Sequence, residues 1–148
     1  MNTNWAIRDE IIFGKPLPWF SENDDEWEMR KKSGSFDING LTLGGISHFE
    51  NLTLDKIKVL LEKDFIEGEE CQNHSPSTNE FVKFVEKYPQ INFIGYAVSP
   101  ERDDYRVTIT GLVCKIGVTE KLISEFESIF GNADEITVKK NYLRCWYD

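Results

Sequence analysis

Two stretches past the middle of the chain, INFIGYAVS from residue 91 and YRVTITGLVC from residue 105, constrain the fold more than any other part of the sequence. The first is apolar on both faces, as expected of a central strand. SPERDD then supplies a turn through Pro100. The second stretch alternates, with Tyr105, Val107, Ile109, Gly111 and Val113 on one face and Arg106, Thr108, Thr110 and Leu112 on the other. Residues 91 to 113 are therefore expected to form an antiparallel hairpin.

Helical periods flank this hairpin. Thr53 opens one helix, with Leu54, Ile57, Leu60 and Leu61 at helical spacing and Asp55 in the first turn, where the helix dipole favours an acid. Ser77 or Thr78 caps a second, lined by Phe81, Phe84, Val85 and Tyr88. Glu80, three residues beyond Ser77, completes a capping-box pattern, and Pro89 ends the helix. Thr119 caps a third, with Leu122, Ile123, Phe126, Ile129 and Phe130 on its apolar face and Gly131 as its stop. Before the first helix, SFDINGLTLGG reads as a short strand or hairpin with its turn at Asn39-Gly40 and its end at Gly44-Gly45. After the third, EITVKKNYLRCWYD reads as strand, interrupted by a bulge or tight turn at Lys140-Asn141.

The order is strand, helix, helix, strand, strand, helix, strand. With one helix treated as an insertion, this is the βαββαβ pattern of a ferredoxin-like (split βαβ) fold, an α+β antiparallel sheet with helices on one face. Residues 1–34 differ in character: Pro16 and Pro18 break any helix locally, and Trp5, Ile12, Phe13, Trp19, Phe20 and Trp27 are spaced through polar sequence. They are expected to form an aromatic-rich N-terminal strap packed on the core. Residues 35–148 are expected to form a single α+β domain, and a chain of 148 residues is long enough for one such core.

Charge narrows the function classes. The net charge is −9, and residues 35–90, with 5 basic and 10 acidic groups, supply −5 of it. Glu62, Asp64, Glu67, Glu69 and Glu70 are its densest part, with only Lys63 among them. Such a field repels phosphates and attracts basic proteins. Arg106, Thr108 and Thr110, with Tyr142, Arg144 and Trp146 from the last strand, would share an open sheet face and form a second candidate surface. Their arrangement lacks the basic-glycine-aromatic run of RNA-binding sheets, so nucleic acid is not expected. No run approaches the ~18 apolar residues of a membrane helix, and MNTNWAIRDE has neither the basic nor the apolar region of a signal peptide. The expectation is a cytoplasmic protein that engages no membrane.

Catalytic motifs are missing. The sequence contains no phosphate-binding glycine loop, no dinucleotide fingerprint and no H-E-x-x-H pair. Cys71 and His74 form a lone C-x-x-H, short of the four ligands of a structural zinc site, so neither metal nor cofactor is expected. Cys114 and Cys145 fall in apolar stretches as small buried packers, and three cysteines are too few for a secreted disulfide framework. An enzyme reading rests on Cys71, His74 and Arg106 alone. The loop from Cys71 to Ser75, with Gln72, Asn73 and His74, is polar beyond what packing requires and joins the acidic residues as a candidate binding segment.

These residues favour a non-catalytic protein-binding module whose acidic face takes a basic protein partner. Its small size and acidity are similar in character to the immunity proteins that neutralise bacterial toxins. The alternative is a small-molecule enzyme or ligand-binding domain with its site in the Cys71 to Ser75 loop, and a homodimer through the open sheet face is a further expectation.

Overall fold

A computed structural model of the protein describes residues 4–17, 37–38, 41–42, 46–71, 74–98 and 107–147. Along the chain these give α1 (Asn4–Phe13), β1 (Asp37–Ile38), β2 (Leu41–Thr42), β3 (Ile46–Leu52), α2 (Leu54–Glu62), α3 (Thr78–Lys87), β4 (Asn92–Val98), β5 (Val107–Cys114), α4 (Glu120–Phe130), β6 (Glu135–Lys139) and β7 (Tyr142–Trp146). Among the described residues β1 and β2 pair only with each other, and the remaining strands form a five-stranded antiparallel sheet in the order β3-β4-β5-β7-β6. The class is α+β.

The helices form where the caps lie. Thr53, Ser77 and Thr119 are extended N-caps whose hydroxyls accept from the backbone N–H groups of Lys56, Glu80 and Leu122. At Ser77 the Glu80 carboxylate accepts in return from the Ser77 N–H, closing the capping box. Gly131 follows α4 in right-handed conformation (φ −63°), so that helix ends without a left-handed cap. All four described helices bury residues in one core: Ile12, then Ile57 and Leu60, then Phe81, Phe84 and Val85, then Leu122, Phe126 and Phe130. The sheet meets them with Phe49, Leu52, Phe93, Ala97, Leu112, Leu143 and Cys145.

The strand order departs from the ferredoxin-like pattern, for a directional reason. Each helix between strands reverses the chain, so two of them, α2 and α3, return it for β4 to run antiparallel beside β3. The extra helix is thus part of the connection, not an insertion into a single crossover. One split βαβ unit does occur: β5, α4 and β6, with β7 lying between the two strands. Lys139 pairs with Tyr142, so the interruption at Lys140-Asn141 is a tight turn.

Two irregularities reset which residues face the core. In β5, Gly111 pairs with Ile94 but Ile109 pairs with Gly95, which leaves Thr110 as an extra residue. The alternation expected from Tyr105 to Val113 therefore breaks: Val107 and Ile109 share the core with Leu112 and Cys114, and Gly111 and Val113 turn away. A second register shift lies between Phe49 and Leu52 of β3. ISHFENL thereby loses the strict period of a strand, and β3 lies beyond the Gly44-Gly45 end expected from the sequence.

The face opposite the helices is closed at its centre, where Ile94, Val98 and Val113 are buried. Of the N-terminal strap, residues 4–17 are described and include α1, a helix that the prolines farther on had obscured. Arg8 and Asp9 of α1 are fully buried as an ion pair of 2.8 Å. The Arg8 guanidinium also donates to the Val98 carbonyl (2.5 Å), and Asp9 accepts from the Leu17 N–H (3.1 Å), tying α1 to the end of β4. The rest of the strap lies outside the described residues.

Candidate functional site

The acidic segment begins where α2 ends. The Asp64 N–H donates to the Leu61 carbonyl and the Phe65 N–H to the Leu60 carbonyl, with Asp64 left-handed at φ 62°. This is a Schellman termination, and buried Phe65 and Leu60 supply its apolar contact. The turn sends the chain along β5 beyond the reach of β7: the Val107 N–H donates to the Phe65 carbonyl at 3.0 Å, and the Thr108 hydroxyl to the Glu70 carboxylate at 3.1 Å. At the far end the Thr78 and Asn79 N–H groups donate to the carbonyls of Glu70 (3.0 Å) and Gly68 (2.8 Å). The loop is held to β5 on one side and to the first turn of α3 on the other.

On this fixed backbone Glu62, Asp64, Glu67 and Glu69 are exposed and Glu70 is half-buried. Among the described residues the first four make no ion pair. Cys71 is exposed, and Gln72 and Asn73 lie outside the described residues.

His74, also exposed, turns back onto the protein. Its Nε2 is 3.3 Å from the Asn132 carbonyl and 3.6 Å from Asp134 Oδ2, and its ring lies edge-on to Tyr147, with centroids 5.4 Å apart. Tyr147 is buried, packs on Phe81 and donates its hydroxyl to Asn132 Oδ1 at 2.8 Å. Burial, with Cys145 and Asp134 nearby, pushes the Tyr147 phenol up to about 12. The sequence reading singled out His74 but missed Tyr147 and Asn132, which lie far along the chain. Ser75 is buried and its hydroxyl donates to the Pro76 carbonyl. Among the described residues no group of three or more His, Cys, Asp or Glu could hold a metal ion.

The second candidate surface comes together only in part. Arg106 lies outside the described residues. Thr108 and Thr110 are buried, the first bonded to Glu70 and the second donating to the Ile94 carbonyl, so neither is presented to a partner. The bulge displaces Thr110, whereas Thr108, before the bulge, keeps the face away from the helices and its hydroxyl is taken by the acidic loop. Tyr142, Arg144 and Trp146 do share one half-exposed face of β7. Arg144 is taken by Glu50 of β3, with contacts of 2.8 and 3.3 Å. β3 and β7 are separated by β4 and β5, about 14 Å across in a flat sheet. The pair therefore needs both side chains extended across the two intervening strands. Partial burial opposes the Arg144 charge, but the hydrogen bond and charge of Glu50 outweigh it and raise its pKa.

No helix among the described residues is long and apolar enough to cross a membrane. No protein-family model matches the chain, and neither the curated proteins nor the solved structures include a significant match.

Proposed function

We propose that the protein is a non-catalytic binding module that holds a basic protein partner against the loop between α2 and α3. The observation that supports this most is the set of four exposed carboxylates, Glu62, Asp64, Glu67 and Glu69, which make no ion pair among the described residues, on a backbone tied to β5 and α3. Salt bridges at the rim of such a surface add little affinity individually, but a concentrated field of one sign accelerates encounter and selects partners by charge. A loop already held in place also loses little conformational freedom on binding. Neutralising a basic toxin in the cytoplasm, as immunity proteins do, is a role that fits these properties.

The test is affinity capture at low salt with the wild-type chain and with Glu67→Lys/Glu69→Lys. Both positions are exposed, and circular dichroism verifies that the variant is folded. One stoichiometric basic protein should copurify with the wild type and be lost or greatly reduced with the variant, and its association rate should fall as salt rises. Capture of no partner, or equal capture by both chains, overturns the reading.

A further inference from the structure

Among the described residues β6 is one edge of the sheet, and its sequence is self-complementary. Glu135-Ile136-Thr137-Val138-Lys139 places an acid at one end, a base at the other and two β-branched apolar residues around a central threonine. Ile136 and Val138 pair with Cys145 and Leu143 and so point to the helix-bearing face, yet they remain 38% and 36% exposed. α4 packs beside β6, and its Ile129 is 51% exposed. An edge strand with unpaired backbone groups and exposed apolar side chains is a template for another strand, and proteins ordinarily guard such edges with charge. Here the charges guard selectively. A parallel neighbour of the same sequence would set acid against acid and base against base. Antiparallel pairing centred on Thr137 instead sets Glu135 against Lys139 at both ends, and Ile136 against Val138 at both inner positions.

We propose that β6 is a homodimer interface: two copies of this chain join their sheets through antiparallel β6–β6 pairing about a twofold axis at Thr137. The occupant is a second copy because the charge pattern complements itself, as an isologous contact requires. Asp134 and Lys140 continue the same polarity beyond the strand, although Asp134 also faces His74 within the chain. Pairing would cover Ile136 and Val138 and satisfy the outward backbone groups of β6. The stretch of the acidic loop that carries the four exposed carboxylates docks on β5, which β7 separates from β6, and only His74 of that loop reaches Asp134 beside β6.

Sedimentation equilibrium over a concentration series tests the proposal with the wild type, Glu135→Lys, Lys139→Glu and the double exchange. Both positions are exposed, and the single substitutions are expected to leave the fold intact. The wild type should reach twice the chain mass. Each single reversal replaces two opposite-charge pairs by two like-charge pairs and should weaken dimerisation roughly tenfold or more. The double exchange should restore it. Mixing the two single variants should give a dimer with one copy of each, because their charges again complement. A wild type that stays monomeric overturns the proposal. So does a dimer indifferent to the reversals, or single variants that fail to associate with each other, either of which would place another surface or another partner at this edge.

Discussion

Cys145 and Tyr147 place two ionisable groups next to each other in the chain and inside the core. Burial raises the Cys145 thiol from 9.0 to about 12, and the Tyr147 phenol, also raised chiefly by burial, goes from 10.0 to about 12. For both groups the folded protein favours the protonated form. Their contribution is complete below the unfolded values and is lost as pH rises towards the folded ones, because only the unfolded chain then gains by ionising. Stability is therefore expected to decline from about pH 9 upward. In urea titrations across the alkaline range, Cys145→Ala should make the decline between about pH 9 and 10 shallower without abolishing it, because burial also raises the Cys114 thiol. An unchanged slope there would assign the decline to other groups. Glu125 works in the opposite sense: the Tyr88 hydroxyl and Lys87 lower its pKa, so its contribution is lost as pH falls.

The central elements depend on an irregularity. At the Thr110 bulge β5 changes which of its residues face the helices, and glycines lie on both sides of the β4–β5 pair. A Cβ on Gly95 would stand 2.1 Å from the Thr108 carbonyl oxygen, and one on Gly111 2.0 Å from that of Cys145. Backbone, which cannot yield as a side-chain tip can, occupies both spaces. Gly111→Ala should therefore cost about 1–3 kcal/mol in chemical denaturation. It should also loosen the β5–β7 pairing, visible as faster amide exchange at Leu143 and Cys145. A variant as stable as the wild type would mean that the strands separate without penalty. The bulge also explains what was legible here. Strand existence follows from apolar and β-branched content, which a bulge leaves intact, whereas facing follows from strict alternation, which one added residue inverts. Thr110 leaves the expected face for that reason, whereas Thr108, before the bulge, keeps it and is buried with its hydroxyl bonded to Glu70 of the acidic loop. Tyr142, Arg144 and Trp146, in a regular strand, share one half-exposed face.

At the scale of the molecule, α1 is held by charge as well as by apolar contact. Arg8 and Asp9 are neighbours in sequence that would ordinarily be assigned to solvent, yet both are fully buried between α1, Leu17 and the end of β4. Removing one member of such a pair leaves the other charge in a poorly solvating interior. Asp9→Ala should destabilise the protein by about 3–5 kcal/mol in calorimetry or urea denaturation. A loss under about 1 kcal/mol, the scale of an exposed pair, would show that Arg8 regains water or another partner. The sheet order has a similar long-range origin. Two helices between β3 and β4 bring the chain back antiparallel to its neighbour, whereas the single helix α4 makes β6 parallel to β5 and leaves room for β7 between them.

The sequence by itself determined the three capped helices, the central hairpin, the split of the last strand at Lys140-Asn141 and the concentration of acid after α2, because each depends on residues within a few positions of one another. Caps, periods and turns are local interactions, and their energies are set before the chain closes. Only the tertiary structure decided the neighbours of each strand, the facing of β5, the burial of Arg8 and Asp9, and the contacts of His74 with Asn132, Asp134 and Tyr147. These depend on contacts between distant segments, whose register and direction are fixed when the sheet assembles around one core.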